Sequence, residues 1–124
     1  MLTKNKIMTF VGVSDPARAK EFYRDKLGLR LVKEELPFAL VFDVAGIMLR
    51  VTPVGPVTPR PFTVLGWETS DIAADIGKLT SAGVAFERFP GMPQDEIGIW
   101  TAPGGAKIAW FKDPDGNILS LTEF

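Results

Sequence analysis

Residues 112–121 place a turn signal between two apolar segments, and this pattern constrains the fold more than any other part of the chain. Pro114 favours the second position of a type I turn, and Gly116 can adopt the positive φ of a bulged hairpin loop. The residues on either side of the turn are therefore predicted to be neighbouring antiparallel strands. A three-residue loop would place Trp110 opposite Ser120.

Length and composition limit the class of protein. The chain has 124 residues, of which 46% are hydrophobic, so a single domain spanning residues 1–124 is expected. Its 14 basic and 15 acidic residues give no electrostatic reason to expect a nucleic-acid or membrane partner. Cysteine and histidine are absent, which removes disulfides, thiolate nucleophiles and the commonest metal ligand. No signal peptide or membrane-spanning run is recognised, so a cytoplasmic location is expected.

The pattern of strands and helices occurs twice. Residues 1–53 read as a strand, a helix and three strands. A proline-rich connector at residues 53–61 leads to a second such unit at residues 62–124. The predicted strands are residues 7–13, 29–34, 38–43, 47–52, 62–68, 84–89, 99–101, 107–111 and 117–122.

The residues that cap the helices and form the turns recur at matching positions in the two units. Asp71 follows Asp15 by 56 residues, and each is placed to cap a helix. Gly116 follows Gly46 by 70 residues, and each lies in a predicted turn. These spacings predict two copies of one βαβββ unit.

Two motifs resemble the vicinal oxygen chelate superfamily, the group of glyoxalases, bleomycin-resistance proteins and extradiol dioxygenases. They are Phe-Tyr-Arg-Asp-Lys-Leu-Gly-Leu at residues 22–29, after Val-Ser-Asp at 13–15, and Phe-Lys-Asp-Pro-Asp-Gly-Asn at residues 111–117. The resemblance covers nearly the whole chain. It implies an α+β fold in which two βαβββ units form a curved, mostly antiparallel sheet with helices on the convex side. It also implies a homodimer, because two-unit chains of this superfamily commonly pair.

Enzymes of this superfamily usually hold a divalent metal on four inward side chains drawn from His, Gln and Glu. Carried across by the motifs, those positions fall at Met8, Arg50, Val64 and Ser120. These side chains lack the donors that such a cation prefers, and a guanidinium would repel it. The resemblance therefore implies a protein that has lost the metal site, with no metal and no cofactor.

Strand alternation extends the predicted concave face beyond the four metal positions. Leu40 is predicted opposite Arg50. The resulting surface is apolar and aromatic with a few polar groups, a composition typical of small-molecule clefts. The predicted ligand-binding residues are Met8, Phe10, Leu40, Met48, Arg50, Val64, Glu68, Trp110 and Ser120.

Two of these residues have alternative interpretations. Arg50 could hold a ligand carboxylate or phosphate, or it could form an internal ion pair with Glu68 or extend to solvent. Trp110 could stack on a planar ligand or pack within the protein. Trp67 and Trp100 are predicted to lie in the core or in a subunit interface.

The favoured hypothesis is a metal-free protein that binds a small anionic or aromatic molecule in the concave cleft. The alternative is a metal-dependent lyase, isomerase or dioxygenase of the same superfamily, with metal held by Glu68, Glu123 or the acids at residues 95–96. A pure interaction module is a third possibility. The sequence does not decide whether the protein is an enzyme.

Overall fold

The computed structural model describes residues 1–124, which form two compact units, Met1–Val57 and Thr58–Phe124. Each unit contains one four-stranded mixed sheet, with strand orders β1-β4-β3-β2 and β5-β8-β7-β6. The α+β class and the repeated βαβββ arrangement are confirmed. The strands are β1 Met8–Val13, β2 Arg30–Glu35, β3 Ala39–Val44, β4 Ile47–Pro53, β5 Thr63–Glu68, β6 Trp100–Thr101, β7 Lys107–Lys112 and β8 Ile118–Glu123.

Each unit has one helical segment, and both begin at the predicted caps. Helix α1, Pro16–Lys20, starts where Asp15 Oδ1 accepts the Ala17 N–H at 2.9 Å, and it continues as a π-helical segment, Glu21–Lys26. Helix α2, Ile72–Ser81, starts at Asp71, whose side chain also caps it. Capping carboxylates satisfy backbone donors that no helical carbonyl can reach. No helix has the length and apolar character required to cross a membrane.

Strand pairing confirms the internal repeat residue by residue. The first strand of each unit runs parallel to the last, with Phe10 opposite Arg50 in one unit and Gly66 opposite Ser120 in the other. These two pairs are related by the same spacings of 56 and 70 residues that relate the capping aspartates and the turn glycines. The two units therefore share one register, although their side chains differ.

The turn between β3 and β4 changes the predicted register by one residue. Val44 pairs with Ile47, so the loop has two residues, Ala45 at φ 49° and Gly46 at φ 85°. Two positive φ values identify a type I′ turn. The predicted opposition of Leu40 and Arg50 is therefore wrong: Leu40 lies opposite Val51, is 0% exposed and belongs to the core. A shift of one residue moves a side chain to the other face of a sheet.

The turn between β7 and β8 sets the strand register that the sequence predicts. Asp113 Oδ1 accepts the backbone N–H groups of Asp115 and Asn117, both at 2.9 Å, and Gly116 adopts φ 86°. Trp110 lies opposite Ser120, as predicted. The buried Asp113 carboxylate thus replaces the backbone partners that this loop lacks.

The predicted strand at residues 84–89 is wrong, because only Phe86 makes a bridge, to Phe111. Besides this bridge and the bond from the Glu87 N–H to the Trp110 carbonyl, the segment is held by the side-chain amide of Gln94. Its Nε2 donates to the carbonyls of Glu87, at 3.0 Å, and Gly98, at 2.8 Å, while its Oε1 accepts the Phe89 N–H at 2.8 Å. The amide takes the place of a neighbouring strand as the partner of these backbone groups.

Ala45 offers a test of the type I′ turn. Replacing Ala45 with Asn is expected to raise the free energy of unfolding by about 0.5–1 kcal/mol, because Asn tolerates the left-handed region better than Ala. Replacing it with the β-branched Val is expected to lower that free energy by about 1 kcal/mol. Urea denaturation of the three proteins measures both changes, and a stabilising Val would contradict the turn assignment.

Candidate functional site

Four of the predicted site residues lie together on the face of the first sheet that α1 does not cover, here called the first open face. Met8 pairs with Met48, and Phe10 pairs with Arg50. The side chains of Met8, Phe10 and Met48 are 47%, 62% and 38% exposed. Paired residues on adjacent strands point to the same side of a sheet. The first open face is therefore an exposed and largely apolar surface that also carries the Arg50 guanidinium.

A groove of about 490 Å³ lies on the first open face. Most of its lining residues are apolar, and its charged residues are Lys6, Arg30 and Asp43, of which the last two form an ion pair at 3.7 Å. The lining residues are Lys6, Ile7, Met8, Arg30, Val32, Val41, Phe42, Asp43, Gly46 and Met48.

Sequence reasoning found Met8 and Met48 but missed the contributions of β2 and β3. No site residue was predicted from strand β2, and its register shift between Leu31 and Lys33 interrupts the alternation by which a sequence could assign its faces. Val41, which lies opposite Arg50, could have been found only from the correct two-residue turn. The groove therefore depends on two backbone details that residue periodicity does not contain.

The ionic partner of Arg50 is Glu35 and not Glu68, the partner in one of the alternatives drawn from the sequence. Its Nη1 lies 3.4 Å from Glu35 Oε1, and Lys33 Nζ lies 3.3 Å from the other oxygen of the same carboxylate. The pKa of Glu35 is lowered, first by the hydrogen bond and charge of Lys33 and then by Arg50, with burial acting in the opposite direction. Two cations share one carboxylate, so this cluster has a net positive charge.

The second open face is the face of the second sheet that α2 does not cover. Glu68 pairs with Thr122, Gly66 with Ser120, and Ser120 with Trp110. Ser120 is only 7% exposed, and a Cβ at position 66 would lie 2.7 Å from its Oγ. Val64 is exposed and lies at a register shift between Thr63 and Leu65, outside the paired positions.

An aromatic cluster occupies part of the second open face. The Trp100 and Trp110 rings are 6.1 Å apart with an interplanar angle of 37°, and Phe89 meets Trp110 edge-on at 5.5 Å. The pairing of Trp100 with Ile108 places it on this face, where it is partly exposed and therefore outside the core, while the predicted alternative of a subunit interface stays a prediction. Trp67 does lie on the helix side, where it stacks with the buried Phe111 at 6.3 Å.

The four positions that correspond to the metal ligands of the superfamily do not fit a divalent cation. Met8, Arg50, Val64 and Ser120 offer a thioether, a guanidinium, a hydrocarbon and a hydroxyl. No group of three or more acidic side chains in the structure could hold a metal ion. Hard and borderline cations need carboxylate, amide or imidazole donors, which these positions do not supply.

Two of the acids considered as alternative metal ligands have structural partners. Glu123 Oε1 accepts the N–H of Ile72, the first residue of α2, at 2.9 Å. Asp95 Oδ1 accepts the N–H groups of Ile97, at 3.0 Å, and Ile99, at 2.8 Å. Glu68 is exposed and has no ion pair in the structure. The three carboxylates therefore do not form a metal site.

Ser120 and Gly66 provide a test of the close strand contact. Replacing Gly66 with Ala is expected to lower the free energy of unfolding by about 1–3 kcal/mol, because the new methyl group meets Ser120 Oγ. Adding Ser120→Ala removes that oxygen and should restore most of the loss, as a double-mutant cycle measured by urea denaturation will show. Gly77→Ala, which meets no neighbour, is the control and should be stabilising.

The shared carboxylate makes a prediction about titration. The pKa of Glu35, followed by NMR, should lie below its usual value, rise on Lys33→Gln and rise less on Arg50→Gln. The pKa of Glu35 is lower in the folded state than in the unfolded state. Ionised Glu35 therefore stabilises the fold at any pH above its unfolded-state pKa. That contribution is lost as pH falls through the folded-state pKa. If Arg50→Gln raised the pKa of Glu35 as much as Lys33→Gln or more, Lys33 would not be the main cause of the lowered pKa.

The fold is similar to that of solved structures over nearly its whole length. Lactoylglutathione lyase from Agrobacterium tumefaciens is 19% identical, with a TM-score of 0.73 and 97% of this chain and 93% of that chain covered. The fosfomycin resistance protein FosX from Listeria monocytogenes is 14% identical, with a TM-score of 0.74 and coverage of 98% and 93%. TnmS3, an antibiotic binding protein from Streptomyces sp. CB03234, is 26% identical, with a TM-score of 0.71 and coverage of 99% and 98%.

Sequence comparison gives the family directly. No curated protein matches the chain significantly. The sequence model of the Glyoxalase/Bleomycin resistance protein/Dioxygenase superfamily matches residues 6–121, which include both motifs and all eight strands except the end of the last. With the duplicated βαβββ unit, its shared register and this match, the chain belongs to the glyoxalase, bleomycin resistance protein and dioxygenase superfamily.

Proposed function

We propose that the protein binds a small organic anion on the first open face without using a metal ion. The observation that carries this proposal is an apolar groove beside a cluster in which two cations share one carboxylate. A groove of about 490 Å³ is within the range of small-molecule sites, which combine apolar walls with a few polar groups. The apolar part of the ligand would occupy the groove, and its anionic group would meet Arg50.

The geometry of Arg50 supports this role. Its side chain is 24% exposed, and its contact with Glu35 is 3.4 Å long, whereas charge-assisted hydrogen bonds of this type are usually about 2.7–2.9 Å. Most of the guanidinium donors therefore have no protein acceptor. A carboxylate or phosphate on the ligand can take two parallel hydrogen bonds from such a group.

The surroundings of Arg50 also favour an anion. Met48 lies two residues away on the same strand and face, and it lines the groove. Val41, another lining residue, lies opposite Arg50 on the neighbouring strand. An anion held at Arg50 would therefore adjoin the apolar surface on which its hydrocarbon part can be buried.

The binding role is supported further by the metal positions and by one relative. Met8, Arg50, Val64 and Ser120 do not supply metal ligands, and binding by shape and charge requires none. TnmS3, at 26% identity over nearly the whole chain, is an antibiotic binding protein. Binding of a small molecule is therefore a role that a protein with this fold performs.

We also propose that the protein acts as a cytoplasmic homodimer. Several large apolar side chains are exposed in the single chain, among them Ile7, Phe10, Phe38 and Phe62. Exposed apolar surface of this kind is typical of an association site. Light scattering coupled to gel filtration would test the dimer, and a monomer at micromolar concentration would contradict it.

Arg50 provides the test of the ligand site. Calorimetry with 2-naphthoate, an anion with an apolar ring system, is expected to show binding that Arg50→Ala weakens about tenfold or more. Arg50→Lys should retain part of the affinity, since it keeps the charge but not the paired donors. Arg60→Ala, in the exposed proline-rich connector, is the matched control and should change nothing.

Two further measurements could overturn the proposal. The neutral analogue 2-naphthol should respond little to Arg50→Ala, and an equal response would show that the arginine acts through folding. Elemental analysis of protein purified without added metal should find no stoichiometric divalent ion. Stoichiometric metal that 2-naphthoate binding requires would contradict a metal-free site.

A further inference from the structure

We propose that the second open face holds a separate site for a planar aromatic cation, formed by Trp100 and Trp110 with Glu68 as the counter-charge. This inference goes beyond the proposed function, because it concerns the other sheet and a ligand of the opposite charge. It rests on the ring geometry, on the way the cluster is held and on the charges of this face.

The two indole rings leave π-surface uncovered. Their interplanar angle of 37° at 6.1 Å is neither a parallel stack nor an edge-to-face contact, so the rings do not cover each other. Both residues are partly exposed. Trp67 shows the contrasting arrangement in the same sheet, because it lies at 22° to the buried Phe111 on the helix side. The rings on the second open face therefore remain available for stacking.

The cluster is fixed before any ligand arrives. The Trp110 carbonyl accepts the N–H of Glu87 at 2.8 Å, and the Phe89 ring meets the Trp110 ring at 83°. Gln94 bridges to Trp100 through the backbone and binds the Phe89 N–H through its side chain. A surface whose rings are already held in place loses little conformational entropy on binding.

The charges of this face favour a cation. Glu68 is exposed, has no ion pair and points to the same side as Trp110, through the register of Gly66 and Ser120. The cationic Lys112 on this face is paired with Glu87 at 3.4 Å. Of the charged residues that the strand register places on this face, Glu68 and Lys112, only Glu68 has no ion pair.

The spacing suits a fused-ring molecule. Glu68, Thr122, Ile108 and Trp100 form one row across the four strands. Three strand separations of about 4.8 Å put the ends of that row roughly 14 Å apart at the backbone. A fused-ring molecule stacked on the indoles would extend along this row toward the Glu68 carboxylate. Cations are attracted to the faces of tryptophan rings, so stacking and charge act together.

Proflavine, a tricyclic cation at neutral pH, is the probe. Fluorescence titration should show saturable binding that Trp100→Leu and Trp110→Leu each weaken about tenfold. Glu68→Gln should weaken it about fivefold, and added salt should reduce the difference between this variant and the parent protein. Trp110→Phe, which keeps a ring in the same place, should bind with intermediate affinity.

Matched variants separate this site from general effects. Trp67→Phe removes a tryptophan from the helix side of the same sheet, and Glu96→Gln removes an exposed carboxylate from a loop, so both should leave proflavine binding unchanged. Arg50→Ala should also leave it unchanged, which keeps this test independent of the first open face. The planar anion 9-anthracenecarboxylate should bind more weakly than proflavine and should gain affinity on Glu68→Gln.

Several results would overturn the inference. They are absence of proflavine binding, equal affinity for the planar anion, and unchanged affinity after Glu68→Gln. A further one is self-association that Trp100→Leu or Trp110→Leu abolishes in sedimentation experiments. That outcome would show that a second copy of the chain covers the rings.

Discussion

The register of the strands depends on two tight turns, and both proposed binding surfaces depend on that register. In the first unit, Ala45 and Gly46 adopt positive φ values and close a two-residue loop. In the second unit, the Asp113 carboxylate binds two backbone N–H groups and organises a longer loop. Because side chains alternate between faces, a change of one residue in either loop would exchange the core with the surface. Turn geometry therefore selects the residues that can meet a ligand.

The two units share the same backbone arrangement, but their corresponding positions carry side chains of different size and charge. In the first unit, Phe10 and Arg50 are large and their neighbour Val41 is smaller. In the second unit, Gly66 and Ser120 are small, and the corresponding neighbour is Trp110. In the first unit the Arg50 guanidinium therefore lies beside an apolar groove, and in the second unit the Trp110 indole lies beside a close contact between strands. The same scaffold consequently offers surfaces suited to opposite charges.

Local signals were sufficient to predict much of the fold. The helix caps and the hairpin before β8 are determined by residues within a few positions of one another, so the sequence contains them directly. The position of Leu40 was missed because a positive φ at Ala45 is unusual for a residue with a side chain. The pairing of Arg50 with Glu35 was missed because it requires the register shift in β2. The role of Gln94 was missed because a single side-chain amide that binds backbone groups leaves no periodic pattern in the sequence.

The shared carboxylate explains how Arg50 can be both held and available. If Glu35 depended on Arg50 alone, a ligand that engaged the guanidinium would leave a carboxylate without a partner, and that loss would oppose binding. Lys33 contacts the other oxygen of Glu35 and is the larger cause of its lowered pKa. If Arg50 binds a ligand as proposed, Glu35 would keep Lys33, the partner that lowers its pKa more. The exchange costs little because the guanidinium is partly exposed and its contact is long, so an incoming anion competes against the weaker half of the cluster.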